Sequence, residues 1–154
     1  MSINGIGINT GDEYYTPKYV VDYFGKFDYD PATTKEKAHE FGIIYFDTII
    51  TDGLNKDWTV FKRIWINPPF TRKLEFIRKA KATYDIAKND IYILLPIGYL
   101  TTKQFYDIGI KAKLYIPNKR INFNFCGIGT KNSPSMGSVI LHIQDINEIE
   151  YIHF

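Results

Sequence analysis

The stretch Ile64-Trp65-Ile66-Asn67-Pro68-Pro69-Phe70 sets the firmest limit on how this chain folds. Its apolar run predicts a strand over 61–66. Proline gives up its backbone donor and fixes its own φ, so two in succession cannot sit inside a central ladder. The residue before a proline is held extended. The strand must therefore stop rigidly at Asn67, with an amide before the prolines and an aromatic ring behind them. A second strand-like run, 27–30, stops in the same manner at Asp30-Pro31.

Around these stops the chain alternates strand-like and helix-like segments. Thr16-Pro17 opens a helix with Thr16 as its cap, Tyr19, Val20, Tyr23 and Phe24 form its apolar stripe, and Gly25 ends it. A polar helix or loop is expected over 33–40 and a strand over 42–46. Thr71 is expected to cap a long helix whose stripe runs through Leu74, Ile77, Lys81, Tyr84 and Ala87, leaving Arg72, Lys73, Arg78, Lys79 and Lys88 solvated. A strand follows over 90–95. Thr101 and Gln104 then form a capping pair for a short helix ending at Gly109. Strand-like runs at 113–116, 120–125 and 137–143 close the chain without intervening helices. Alternation of this kind predicts an α/β fold: a mostly parallel central sheet, helices on both faces, and an antiparallel end. In such sheets ligands bind beyond the carboxyl ends of the strands, where Asp30-Pro31 and Asn67-Pro68-Pro69 both stand. At 154 residues the chain is expected to be one domain, with 1–11 a loose arm.

With 45% hydrophobic and 23% charged residues the chain is globular and not disordered. The net charge of +2 is too small to argue for a polyanionic partner. Its distribution is more telling: no acid occurs from Ile108 through Gln144, where Lys111, Lys113, Lys119, Arg120 and Lys131 stand. A basic surface there would suit a nucleic acid, and a merely solvated face fits equally. The abundant aromatics suit either a tyrosine-rich core or base stacking. Cys126 is the single cysteine, so no intrachain disulfide forms and a reducing compartment is expected. His39, His142 and His153 lack metal-ligand spacing, and no apolar run is long enough to span a membrane. Neither metal nor membrane is expected. Gly5-Ile6-Gly7 follows no strand and is no dinucleotide fingerprint.

Asn-Pro-Pro-Phe has its own chemistry. The Asn67 side-chain carbonyl and the Pro68 backbone carbonyl are two stiffly held acceptors, and Phe70 adds a ring face. Together they suit a planar ring bearing an amino group. Gripping both amine hydrogens favours a tetrahedral nitrogen and stabilises positive charge as that nitrogen attacks an electrophile. Such a tetrad arises by chance on the order of once in a thousand chains of this length; the alternative role is a rigid strand-to-helix turn.

Asn67-Pro68-Pro69-Phe70 resembles the catalytic tetrad of amino-methylating, S-adenosylmethionine-dependent methyltransferases. The wider pattern is similar to the compact phage-type DNA N-6-adenine methyltransferases. Tyr14-Tyr15-Thr16-Pro17 resembles their Trp/Tyr-x-Thr-Pro element, Phe27-Asp28-Tyr29-Asp30-Pro31-Ala32 their Phe-Asp-x-Asp-Pro-Ala, and Asp52-Gly53-Leu54 with Asp57-Trp58 the stretch ahead of the tetrad. Arg120-Ile121-x-Phe123 and Ser133-Pro134 match later positions. The resemblance implies a Rossmann-like methyltransferase fold acting on adenine in DNA, in the cytoplasm of a bacterial host if a phage encodes it. It implies that Tyr15, Thr16, Pro17, Asp30, Pro31, Ala32 and Asp52 border S-adenosylmethionine, and that Asn67, Pro68, Pro69 and Phe70 act on a flipped or single-stranded base. Lys119, Arg120, Lys131 and Ser133 would meet the DNA. Cytosine, RNA or a glutamine amide would satisfy the tetrad's chemistry too, and a non-catalytic binding module would retain the shell. Phe stands where Tyr is commoner, and Ala32-Thr33-Thr34 replaces the glycine-rich turn of many methyltransferases. Sequence preference is left to short loops over 98–103 and 126–136.

Overall fold

The computed structural model describes residues 14–125, 128–129 and 137–154. The arm expected over 1–11, and Cys126, Lys131 and Ser133, lie outside them. The described residues form α/β architecture: β1 (Tyr14–Tyr15), α1 (Lys18–Tyr23), β2 (Tyr29–Asp30), α2 (Lys35–Phe41), β3 (Tyr45–Phe46), β4 (Arg63–Ile66), α3 (Lys73–Ala87), β5 (Asp90–Pro96), α4 (Lys103–Ile108), β6 (Ala112–Pro117), β7 (Asn124–Phe125), β8 (Ile128–Gly129), β9 (Ser138–Ile143) and β10 (Glu148–Ile152).

Seven strands make the main sheet, in the order β10-β6-β9-β5-β4-β2-β3. β9 is antiparallel to both neighbours, and every other ladder in this sheet is parallel. The expected antiparallel end is therefore one reversed strand wedged between β5 and β6. Strand β10, which the sequence reading left out, returns to the parallel direction at the edge. Pleating divides the core between two faces. Ile64, Ile66, Ile91, Ile93 and Leu95 pack with Phe76, Ile77 and Ala80 of α3. Trp65, Tyr92 and Leu94 pack on the other face with Val20 and Val21 of α1 and Ala38 and Phe41 of α2. Each such fully buried aliphatic side chain contributes about 1.5–3 kcal/mol.

Several local expectations change. Thr16 does not cap α1; Pro17 holds that position with no side-chain bond, its carbonyl accepting from Val20 N at 3.1 Å. Thr71 does not cap α3, because a 3-10 turn (Phe70–Arg72) intervenes and Arg72 occupies the capping position. Thr102, not Thr101, caps α4 by accepting from Phe105 N. The buried stripe of α3 runs through Phe76, Ile77, Ala80, Thr83 and Tyr84, rotated from the stripe inferred through Leu74 and Lys81. In 120–125 only Asn124–Phe125 is a strand, and it pairs with β1 and β8 in a separate three-stranded sheet. Among the described residues no helix is long and apolar enough to cross a membrane.

Candidate active site

β2 and β4 are neighbours, yet the chain leaves them toward opposite sides of the sheet. From β2 it passes through α2 to β3; from β4 it passes through α3 to β5. The divergence opens a crevice beyond the two carboxyl ends, the position where such sheets bind ligands. A cavity of about 360 Å³ lies there. Tyr15, Thr16, Asp30, Pro31, Ala32, Asp52, Asn67 and Pro69 all line it, bringing together segments far apart in sequence. Of the other expected site residues, Pro17, Pro68 and Phe70 are not in the lining. Pro68 is buried, while Phe70 is 42% exposed. Lys119 and Arg120 are exposed and follow β6, outside the cavity. Since β6 runs parallel to β5, they leave the same edge of the sheet.

Asn67 is half-buried, and its Nδ2 donates to Thr16 Oγ1 at 3.0 Å. Thr16 is 3% exposed. With Nδ2 committed, the amide plane is fixed and Oδ1 is the acceptor branch. Thr16 thus stands one residue ahead of the Pro17 capping position and serves a bond across 51 positions. The β1–β7 ladder, Tyr15 opposite Asn124, anchors the strand that delivers Thr16.

Asp30 is the buried carboxyl of the site, 2% exposed. Its Oδ1 accepts from Ala32 N at 3.0 Å, and no cation of the described residues pairs with it. Burial pushes its carboxyl up to about 7, only partly offset by the Ala32 N–H. A buried carboxyl without a cationic partner suits a ligand that brings one.

The opposite lip is built around Asp52, whose backbone sits at φ 55°. Its Oδ1 accepts from Leu54 N and from Arg72 Nη1 at 3.3 Å, and its Oδ2 from Asn55 Nδ2 at 3.1 Å. Gly53 lies against Pro31 so closely that an added Cβ would stand 2.1 Å from the Pro31 carbonyl oxygen. Trp58 Nε1 holds the Gly53 carbonyl at 2.8 Å. The Asp-Gly-Leu…Trp stretch is thus one device: the indole pins the glycine, and the glycine lets two cavity walls touch.

Sequence reasoning missed several contributors. Asp47 accepts from Tyr29 Oη at 2.6 Å and from Lys56 Nζ at 2.7 Å, tying the Asp52 loop to β2. Burial opposes its charge, but Lys56, Tyr29 and Thr51 hold its carboxyl below the usual range. Thr34, which caps α2, and Lys35 bring the first turn of that helix into the lining; Ile49, Ile50 and Arg72 line it as well. Ile49 and Ile50, 75% and 89% exposed, gave the one available signal: an apolar pair in a loop beside an acid. Among the described residues no group of three or more His, Cys, Asp or Glu side chains is placed to hold a metal.

A crevice between diverging parallel strands, with an acid ending one and an amide ending the next, belongs to the Rossmann-like methyltransferase fold. A family model for DNA N-6-adenine-methyltransferase (Dam) matches residues 7–152, and the chain belongs to that family. A DNA N-6-adenine-methyltransferase of Escherichia phage T1 is 34% identical over 99 residues, covering 58% of this chain and 40% of the phage protein.

Proposed function

We propose that this protein transfers the methyl group of S-adenosylmethionine to the exocyclic amino group of adenine in DNA. The observation that carries the reading is the Thr16–Asn67 bond, which orients the tetrad amide beside a cavity whose floor holds a buried, uncompensated carboxyl. The residues fit the cofactor. Asp30 suits its ammonium group. Ile49 and Ile50 offer apolar surface to its adenine ring, and Asp52 stands at the same lip. When bound, the cofactor would supply a sulfonium methyl as the electrophile, with a neutral thioether as the leaving group and water to take the amine proton.

The protein's own part is orientation and electrostatics. Asn67 Oδ1 and the Pro68 carbonyl accept the two amine hydrogens, drawing the nitrogen lone pair out of the ring and stabilising its growing positive charge. The stiffness of Pro68-Pro69 keeps these acceptors in place before the substrate arrives. Phe70 stacks on the base. A paired adenine cannot present its amine to this pocket, so the base must be flipped out or single-stranded. Lys119, Arg120, Lys131 and Ser133 contact the strand.

The test is methyl transfer from labelled cofactor to DNA, single-stranded and duplex, with RNA in parallel and mass spectrometry of the digested product. N6-methyladenine is expected from DNA. Asn67→Ala should lower transfer by about 10²–10³-fold, as loss of one charge-stabilising group does, while cofactor affinity stays within a few-fold. Equal transfer by Asn67→Ala, or product found only as methylcytosine, would overturn the assignment.

A further inference from the structure

Lys73 is set apart on α3 by its two ring contacts; Arg78 and Lys79 also lack an ion pair among the described residues, and Lys79 stands over one ring, that of Trp58. Arg72 engages Asp52 and Glu75, Lys81 pairs with Asp85, and Lys88 pairs with Asp145. Lys73 is half-buried, yet no carboxylate of the described residues lies within ion-pair distance. Its Nζ instead stands 5.0 Å from the Phe70 ring centroid and 4.8 Å from that of Tyr99. Burial lowers the pKa of this ammonium. Two ring contacts offset part of the desolvation of a cation; an anion would offset far more.

Its position indicates which anion. β4 lies between β2 and β5, so the tetrad has two flanks. On the β2 flank is the cavity with Asp30. On the β5 flank is the turn Ile97–Thr101, which carries Tyr99 and follows β5 directly. Phe70, Lys73 and Tyr99 are all outside the cavity lining. Donor and acceptor of a methyl group must meet at the tetrad from different sides, which leaves the β5 flank to the acceptor strand.

We propose that Lys73, held between the Phe70 and Tyr99 rings, grips a backbone phosphate of the nucleic-acid strand beside the base that Phe70 stacks upon. This rests on the reading that the tetrad faces a target base. The phosphate supplies the missing counter-charge, and contact with both rings keeps the ammonium beside Phe70. A contact to phosphate carries no base information; it positions the strand. The site is therefore a register device for the target nucleotide and not a reader of sequence.

The experiment measures binding of a short oligonucleotide carrying one adenine, in the presence of S-adenosylhomocysteine, as a function of KCl. Lys73→Met should weaken binding about tenfold. It should also flatten the slope of log K against log salt by about 0.7 on single strands, or about 0.9 on duplex. Lys73→Arg should keep the slope. Calorimetry with S-adenosylmethionine should give equal affinity for Lys73→Met and wild type; Lys73→Gln replaces Met if the melting temperature falls. Single methylphosphonates, placed stepwise around the adenine, should include one position that weakens wild-type binding and leaves the Lys73 variant unmoved. An unchanged slope, with every methylphosphonate acting alike on both proteins, sinks the phosphate site. Because this is read from binding, its failure is distinct from a failure of methyl transfer by wild-type protein.

Discussion

Gly53→Ala tests the architecture of the crevice most directly. The new Cβ would lie 2.1 Å from Pro31 O, 2.7 Å from Pro31 Cβ and 2.9 Å from Pro31 C. Neither side can yield by a rotamer change. Pro31 is bracketed by the turn that ties Asp30 Oδ1 to Ala32 N, and the Gly53 carbonyl is held by buried Trp58. The walls must part by about 1 Å to reach an ordinary contact. Two effects compete. Gly53 does not use the left-handed region, so alanine gains about 0.5–1 kcal/mol by restricting the unfolded chain. Overpacking costs about 1–3 kcal/mol. Sterics win, and a net loss of about 1–2 kcal/mol is expected in urea unfolding, or a few degrees in melting temperature. Cofactor affinity should fall too, because both displaced segments line the cavity, and the rate of methyl transfer should suffer more, since a 1 Å misplacement can cost about 10²-fold in rate. Gly109→Ala is the control: nothing lies within 4 Å of its added Cβ, but its φ is +75°, so it should lose about 1 kcal/mol and leave cofactor binding intact. Gly53→Ala with wild-type stability and wild-type affinity for S-adenosylmethionine would refute the reasoning.

Asp30 makes stability depend on pH in a defined direction. Its carboxyl titrates near 7 in the folded protein against 3.8 ordinarily, so the native state holds a proton that the unfolded chain has lost. This contribution is complete below about pH 4 and disappears as pH rises through 7. Urea unfolding from pH 5 to 8 should show wild type losing ground to Asp30→Asn by about 1.4 kcal/mol per pH unit up to 7, then levelling. Asp30→Asn should be the more stable protein at pH 8 and the poorer binder of S-adenosylmethionine by calorimetry; a pH-independent difference would contradict the account. Thr16→Val removes the acceptor for Asn67 Nδ2 and should lower single-turnover methylation about tenfold or more. Thr16→Ser should restore most of it, and equal loss in both variants would assign Thr16 to packing alone.

Covalent rules local to each segment made much of this protein legible. Two prolines after Ile66 dictated where a strand ends, and Asp30-Pro31 did the same at β2. Glycines at positions 25 and 109 marked real helix ends, both at positive φ, whereas Gly42, expected to open a strand, also closes a helix at positive φ. Alternating strands and helices gave the sheet class, and the tetrad with its companion motifs gave the candidate site. Tertiary structure alone decided the long-range partnerships: Thr16 with Asn67, Asp52 with Arg72, and Lys73 with Tyr99. It also decided the place of β10, an edge strand with four of five residues exposed and thus little burial pattern to announce it. The physical reason is range. Backbone restriction and side-chain periodicity act within a few residues, whereas a hydrogen bond spanning 51 positions exists only after the sheet has set its strand order.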